Sequence, residues 1–219
     1  MKKQEPVWLN IGSGVGLADP PFINVDNFFS LEDLKKGKGN KGSPYMNARI
    51  PKGVRFVKGD MCDLPFKDNY ADYIECNDAI EHVGIYSVEK ALREFLRVLK
   101  PGGKLAITTT NFNELARLWT AEVTDNLFKT QEDINKYMSL AHVIYGNQKG
   151  PGEYHRVPFN PVFMSYLLLS AGFNLKNLVI SIYPTGCPDR MPQKAYAHQR
   201  ESFKNTVILT EMMWIEVTK

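Results

Sequence analysis

The sequence predicts an α/β domain: a doubly wound, mostly parallel seven-stranded sheet with an antiparallel edge hairpin and a helical insertion. Three observations carry that expectation. Short apolar runs alternate with helical patterns along the first half of the chain. Gly, Asp and Asn residues stand where the predicted strands end. Two late apolar runs, Leu175–Ile182 and Met212–Val217, have no helical pattern between them and read as an edge hairpin.

Each element follows from its residues. Val7 to Ile11 is an apolar run that ends in Gly12-Ser13-Gly14-Val15-Gly16, a strand entering a Gly-rich turn. Pro20-Pro21 punctuates, and Phe22–Val25 is a second strand closed by Asp26. Residues 35–53 are rich in Lys, Gly and Asn and read as a solvated loop. Val54–Val57 and Ala71–Cys76 are the third and fourth strands.

The strongest helix signal is Ser87–Lys100, where Val88, Ala91, Leu92, Phe95, Leu96 and Leu99 form one stripe. Ser87 is its expected N-cap, and Pro101-Gly102-Gly103 its stop. Lys104–Thr109 is the fifth strand. Residues 113–145 hold two helical patterns, and Asn160–Ser170 a further helix with Pro161 in its first turn and Gly172 just past its end.

Length and charge narrow the class. The chain has 219 residues and is read as a single domain, 1–219, with residues 111–160 as an insertion that could form a lid or acceptor region. Lys and Arg total 27 against 24 Asp and Glu, a net charge of +3. That balance does not favour nucleic acid or an anionic membrane as the main partner. No apolar stretch reaches the length of a membrane span, and the N-terminus lacks a signal-peptide pattern. Three widely spaced cysteines, Cys62, Cys76 and Cys187, suggest free thiols in a reducing compartment, so a cytoplasmic protein is expected.

In an open sheet of this kind, ligands bind beyond the carboxyl ends of the strands. Gly12 to Gly16, Asp26, Asp60, Asn77 and Thr108 to Asn111 all fall there. The Gly loop is not a dinucleotide fingerprint. Leu17 occupies the place of the third glycine, and too few residues separate Gly16 from Pro20 for a pyrophosphate-binding helix. No Walker loop is present. No His, Asp and Glu set shows metal-ligand spacing, so no metal is expected.

The ordered motifs Leu9-Asn10-Ile11-Gly12-Ser13-Gly14, Ile23-Asn24-Val25-Asp26, Gly59-Asp60-Met61-Cys62-Asp63-Leu64-Pro65-Phe66, Ile80-Glu81-His82-Val83 and Leu99-Lys100-Pro101-Gly102-Gly103 resemble the class I S-adenosylmethionine (SAM)-dependent methyltransferases. Together they are similar to the type 11 group. The likeness runs from about residue 7 to 110. It implies a Rossmann-like fold, SAM as cofactor and S-adenosylhomocysteine as product.

It also implies roles. Gly12, Ser13 and Gly14 would admit the methionine part of SAM, and Asp26 would accept hydrogen bonds from the ribose hydroxyls. Asp60 would take the adenine amino group, and the backbone of Met61 the ring. Asn77 would line the sulfonium end. The plainer readings are a structural Gly turn, a capping Asp26 and a solvated Asp60. Two features depart from the family: Asn10 stands where many relatives carry an acid, and the first helix is truncated before Pro20-Pro21.

The implied reaction transfers a methyl group to a small-molecule or sugar-like acceptor at oxygen. His82, after the fourth strand, and His155 are the candidate catalytic groups, needed only if the acceptor holds its proton. Both can equally be structural histidines. Tyr154 and Arg156 are candidate substrate-binding residues, Arg156 being suited to a carboxylate or phosphate. His142 is expected to pack, and Trp119, Tyr137, Tyr145 and Tyr154 either form a lid or fill core. The alternatives are a non-catalytic SAM-binding module of the same fold, or a nucleic-acid or protein methyltransferase. The last would use the Lys35–Lys41 loop and the loop through Arg190 and Lys194.

Overall fold

The computed structural model describes residues 5–36, 50–123, 130–146, 148, 152–182 and 212–219. Its centre is a seven-stranded sheet of order β3-β2-β1-β4-β5-β7-β6. The strands are β1 (Trp8–Ile11), β2 (Phe22–Asp26), β3 (Arg55–Lys58), β4 (Ala71–Asn77), β5 (Leu99–Thr110), β6 (Val179–Ile182) and β7 (Met212–Thr218). β1 to β5 pair in parallel, and β7 runs antiparallel between β5 and β6. This is the expected fold class, with the hairpin β6–β7 at one edge.

Parallel strands buried on both faces read as continuous apolar runs. Leu9, Ile11, Val25, Ile74, Cys76, Leu105 and Ile107 accordingly sit in the main core. Helix α2 (Ile85–Val98) adds Val88, Ala91, Leu92, Phe95 and Val98 from one face and packs on α5 (Pro161–Ala171). Asn160 caps α5 by accepting from the backbone N–H of Phe163, with Pro161 in the first turn.

Four elements differ from the sequence reading. Helix α2 starts at Ile85, and Gly84, not Ser87, is its N-cap, without a side-chain bond. The helix stops at Val98, because Leu99 is already extended (φ −63, ψ 139) and begins β5. The segment Lys100–Gly103 joins the sheet by pairing with the chain end: Lys219 N–H donates to the Gly103 carbonyl (2.9 Å) and Gly102 N–H to that of Lys219 (3.1 Å). Finally, residues 175–177 form a 3-10 turn, so β6 starts only at Val179. A short helix α1 (Leu31–Lys35) follows β2, capped by Ser30, where no helix was expected.

The winding is also thinner than a full doubly wound sheet. The β1–β2 and β3–β4 connections contain no helix. In the first, two asparagines do the work. Asn10 and Asn24 are register neighbours on β1 and β2. The Asn24 Oδ1 accepts from Asn10 Nδ2 (2.9 Å) and from Ala18 N–H (2.8 Å), while its Nδ2 donates to the carbonyls of Ala18 and Arg55. Asn10 Nδ2 also donates to the Gly16 carbonyl. The loop's polar groups are satisfied by side chains where a helix would satisfy its own. The departure at Asn10 thus has a structural use.

Helices α3 (Phe112–Val123) and α4 (Gln131–Tyr145) form the insertion expected between residues 111 and 160. No helix among the described residues is long and apolar enough to cross a membrane. Cys187, His198, Arg190, Lys194 and most of the Lys35–Lys41 loop lie outside the described residues.

Candidate active site

The loops after β1, β3 and β4 meet at the carboxyl ends of their strands. Gly12 lies in the left-handed region (φ +69), where its N–H donates to the Val25 carbonyl. A Cβ placed on Gly12 would stand 2.4 Å from the Cβ of Ala79 and 3.5 Å from Cε of Met61. That contact requires glycine, because Cβ atoms do not approach so closely. It also ties the Gly loop directly to the turns that carry Met61 and Ala79. Gly14 (φ +50) differs: a Cβ there would meet nothing within 4 Å, so its backbone faces open space.

Asp26 is buried at the end of β2. Its Oδ2 accepts from Gly14 N–H (2.8 Å), and its Oδ1 from Phe28 and Phe29 N–H (2.8 and 2.9 Å). Three of roughly four acceptor positions are therefore filled by backbone. Asp26 braces the Gly loop through Gly14 and keeps about one acceptor position open. Asp60 is exposed; it accepts from Cys62 N–H (2.8 Å) and Asn27 Nδ2 (3.3 Å). Asn77 Oδ1 accepts from Thr108 Oγ1 (2.8 Å). Gly12 and Met61 are thus neighbours, Asp26 is tied to the Gly loop through Gly14, and Asn77 closes β4 against Thr108. The hydroxyl of Ser13 is buried without a hydrogen-bond partner. Such an orphan, beside open space over Gly14, fits a polar ligand in the Gly loop.

The second half of the site is a polar cluster beyond β4. Glu81 and His82 lie on the 3-10 turn Ile80–His82. The segment 152–157 returns from the insertion to meet them: Arg156 N–H donates to the Glu81 carbonyl (2.7 Å), and His155 N–H to that of Tyr145 (3.1 Å). The His82 and His155 rings then stand 4.9 Å apart at 65°. Nδ1 of His82 bonds the Tyr154 carbonyl (3.1 Å), and Nδ1 of His155 the Val143 carbonyl (2.7 Å). A carbonyl only accepts, so each Nδ1 carries the proton; the neutral His155 ring keeps its Nε2 lone pair, while the His82 ring lies against a second carbonyl, that of Asp78.

Burial sets the charges here. It lowers the His155 pKa to about 4, aided by nearby His82, and lowers that of His82 against the carbonyls of Tyr154 and Asp78. It pushes the Glu81 carboxyl up to about 7, although Thr109 Oγ1 donates to Glu81 Oε2 (3.1 Å). Asp78 is pushed up by burial and by Glu81, and its Oδ1 has no partner.

The structure brings His82 and His155 together, with Tyr154 half in solvent and Arg156 exposed beside them. His142 does not pack; it is exposed on α4. Tyr145 and Tyr154 are largely exposed and Trp119 lies against Tyr137 at 5.1 Å, so these aromatics are not core. Residue-by-residue reading missed Ala79, Asp78 and Glu81. Their signal was an acid at 78 and a Glu-His pair at 81–82, directly after a predicted strand end.

Comparison with known proteins identifies what the chain resembles. Residues 9–107 match the family model described as a methyltransferase domain. The demethylmenaquinone methyltransferase of Renibacterium salmoninarum is 34% identical over 104 residues, covering 45% of this chain and 39% of that protein. The ubiquinone/menaquinone biosynthesis C-methyltransferase of Vibrio vulnificus is 29% identical over 147 residues, covering 62% and 56%. The chain thus spans less than two thirds of the curated relatives it matches.

Among solved structures, a SAM-dependent methyltransferase of Thermotoga maritima, a possible histamine N-methyltransferase, superposes with a TM-score of 0.54 at 18% identity, over 100% of this chain and 84% of that one. The phosphoethanolamine N-methyltransferase 2 of Haemonchus contortus in complex with S-adenosyl-L-methionine gives 0.51 at 16%, over 100% and 50%. These likenesses show the Rossmann-like fold of class I methyltransferases.

Proposed function

We propose that this chain, whose residues 9–107 belong to the methyltransferase-domain family, is a SAM-dependent methyltransferase acting on a small molecule that bears a hydroxyl group. The observation that carries the reading is the meeting of Gly12, Met61 and Ala79 beside an open Gly14 and an orphaned Ser13 hydroxyl. Gly12, Ser13 and Gly14 would hold the methionine end, Asp26 one ribose hydroxyl, Asp60 and Met61 the adenine, and Asn77 the sulfonium end. SAM supplies an activated methyl group. The chain's task is then to orient the acceptor in line with it and to shed water.

A hydroxyl acceptor must lose its proton as it is methylated. The neutral Nε2 lone pair of His155, beside the His82 ring, is the acceptor closest in chemistry to that need. Arg156 and Tyr154, exposed at the mouth, would meet the rest of the acceptor. The insertion, residues 111–160, would serve as a lid, since it ends in the segment that brings His155 to His82.

Methyl transfer to oxygen is the first reading. The relatives named as C-methyltransferases of quinone biosynthesis favour a second, transfer to a ring carbon activated by a neighbouring hydroxyl. Both are favoured by removing the O–H proton; transfer to carbon then also sheds the ring C–H proton as the oxygen regains its own. Free thiols at Cys62 and Cys76 suit a reducing compartment such as the cytoplasm.

Calorimetry with SAM and S-adenosylhomocysteine tests the cofactor half, and absence of binding at millimolar ligand overturns the proposal. A screen of phenolic, sugar and other hydroxylated acceptors, read by mass spectrometry of the product, then separates O- from C-methylation.

A further inference from the structure

The chain holds a cluster that a methyl transfer by positioning alone does not require. One carboxylate oxygen of Glu81 and one ring nitrogen each from His82 and His155 all lie within 4.8 Å of one another. Glu81 is buried and the two histidines half-buried. Ligand atoms about 2 Å from one metal stand roughly 3–4 Å apart, so the three donors need draw together by no more than about an ångström to share an ion.

A second, independent feature points the same way. Each histidine is anchored through Nδ1–H to a backbone carbonyl, His82 to Tyr154 and His155 to Val143. Outer hydrogen bonds of this kind fix the ring and its tautomer in metal-bound histidines; His155 is left with Nε2 as its ligand atom, and His82 would exchange its contact with the Asp78 carbonyl for the ion. The two rings come from distant parts of the chain, yet both carry the same outer bond. A third feature is the buried, partnerless Oδ1 of Asp78, whose carboxyl interacts with that of Glu81. It offers a further oxygen donor.

We propose that Glu81, His82 and His155 form a site for one divalent transition-metal ion, with Asp78 as an additional oxygen ligand or outer partner. Two imidazoles and a carboxylate suit Zn²⁺, Mn²⁺ or Fe²⁺ and disfavour Mg²⁺, which takes oxygen ligands. Three protein ligands leave a coordination position open.

Resting on the methyltransferase reading above, that position takes the acceptor's hydroxyl oxygen. The ion takes up the histidine lone pairs that would otherwise accept the proton; it would lower the pKa of the bound hydroxyl, whose proton then leaves to water instead. The oxygen's electron pair then forms the O–CH3 bond as the S–CH3 bond breaks, and S-adenosylhomocysteine departs uncharged at sulfur. The cluster lies one turn beyond Ala79, which touches Gly12, so metal and methyl donor share one crevice.

The test is metal binding by the chelator-stripped chain, measured without SAM. Equilibrium dialysis with Zn²⁺ and with Mn²⁺ is expected to give one equivalent each, Zn²⁺ the tighter, and Mg²⁺ markedly weaker. His155→Ala and His82→Ala should each weaken Zn²⁺ at least about 100-fold, since even outer-partner loss costs up to that much. S-adenosylhomocysteine calorimetry on the same variants reports their folding. Co²⁺ added to the native chain provides a readout that needs no variant: an intense visible absorption of a low-symmetry nitrogen-ligated ion is expected. Substoichiometric Zn²⁺ at millimolar concentration, undiminished Zn²⁺ in both folded variants, or only the weak spectrum of hydrated Co²⁺ overturns the proposal. Loss of SAM binding with Zn²⁺ retained would instead overturn the methyltransferase reading and leave the metal site standing.

Discussion

His82 and His155 face each other with ring centroids 4.9 Å apart, each held through Nδ1 by a carbonyl of the chain. The first ring belongs to the turn after β4, the second to the segment that closes the insertion. Their meeting joins the turn after β4 to a part of the chain beyond the residues that the methyltransferase-domain model matches. The acceptor is expected to lie at that junction.

The two glycines of the loop predict opposite outcomes. Gly12→Ala forces a Cβ to 2.4 Å from that of Ala79 at a positive φ, so the variant should lose several kcal/mol, on the order of 3–5, or fail to fold. Gly14→Ala meets open space and should cost only about 1 kcal/mol for its φ of +50. Its added methyl enters the cofactor space, so SAM affinity should fall while thermal unfolding stays near the native value. Denaturation curves and SAM calorimetry on both variants check this.

Asp26→Ala should weaken SAM by roughly 1.5–3 kcal/mol, about 10- to 150-fold, as expected for losing bonds to a charged acceptor. The structure adds that three backbone N–H groups lose their partner at once. A drop in stability should therefore accompany the loss of affinity. Unchanged SAM affinity in a folded variant would remove Asp26 from the site.

Asn24→Ala should destabilise the fold by roughly 2–4 kcal/mol, although it touches no ligand. The substitution strips Ala18 N–H and Asn10 Nδ2 of an acceptor and leaves two carbonyls unsatisfied, all at a fully buried position. Chemical denaturation measures it, and a cost below about 0.5 kcal/mol would contradict the bracing role.

Glu75 gives a pH signature. It is buried in β4, its Oε2 has no partner, and burial pushes its pKa from 4.5 up to about 8. The unfolded chain releases this proton near pH 4.5, the folded chain only near pH 8. Between those values the folded state binds more protons, so Glu75 takes away stability as pH rises through the window and costs most above it. Glu75→Gln should flatten that decline and raise stability above pH 8 by on the order of 1–3 kcal/mol. Melting temperatures of both proteins from pH 5 to about 9 read the difference.

The sequence by itself determined the parallel sheet, its strand ends and the Gly loop, because those are written in local apolar periodicity and in residues that terminate strands. Leu9, Val25, Ile74 and Ile107 are buried by pattern alone, and Asp26, Asp60 and Asn77 fall at strand ends by counting. Sequence spacing could not find the Glu81, His82 and His155 cluster. Ligand spacing is a property of neighbouring residues, and His155 reaches His82 only through the bonds of Arg156 to Glu81 and His155 to Tyr145. The tertiary structure likewise decided that Asp26 spends most of its hydrogen-bonding capacity on backbone N–H groups, one from the Gly loop and two from its own turn. It also showed that Asn10 and Asn24 replace a missing helix. In each case buried polar groups had to find partners from distant segments, and only the packed chain fixes which ones they find.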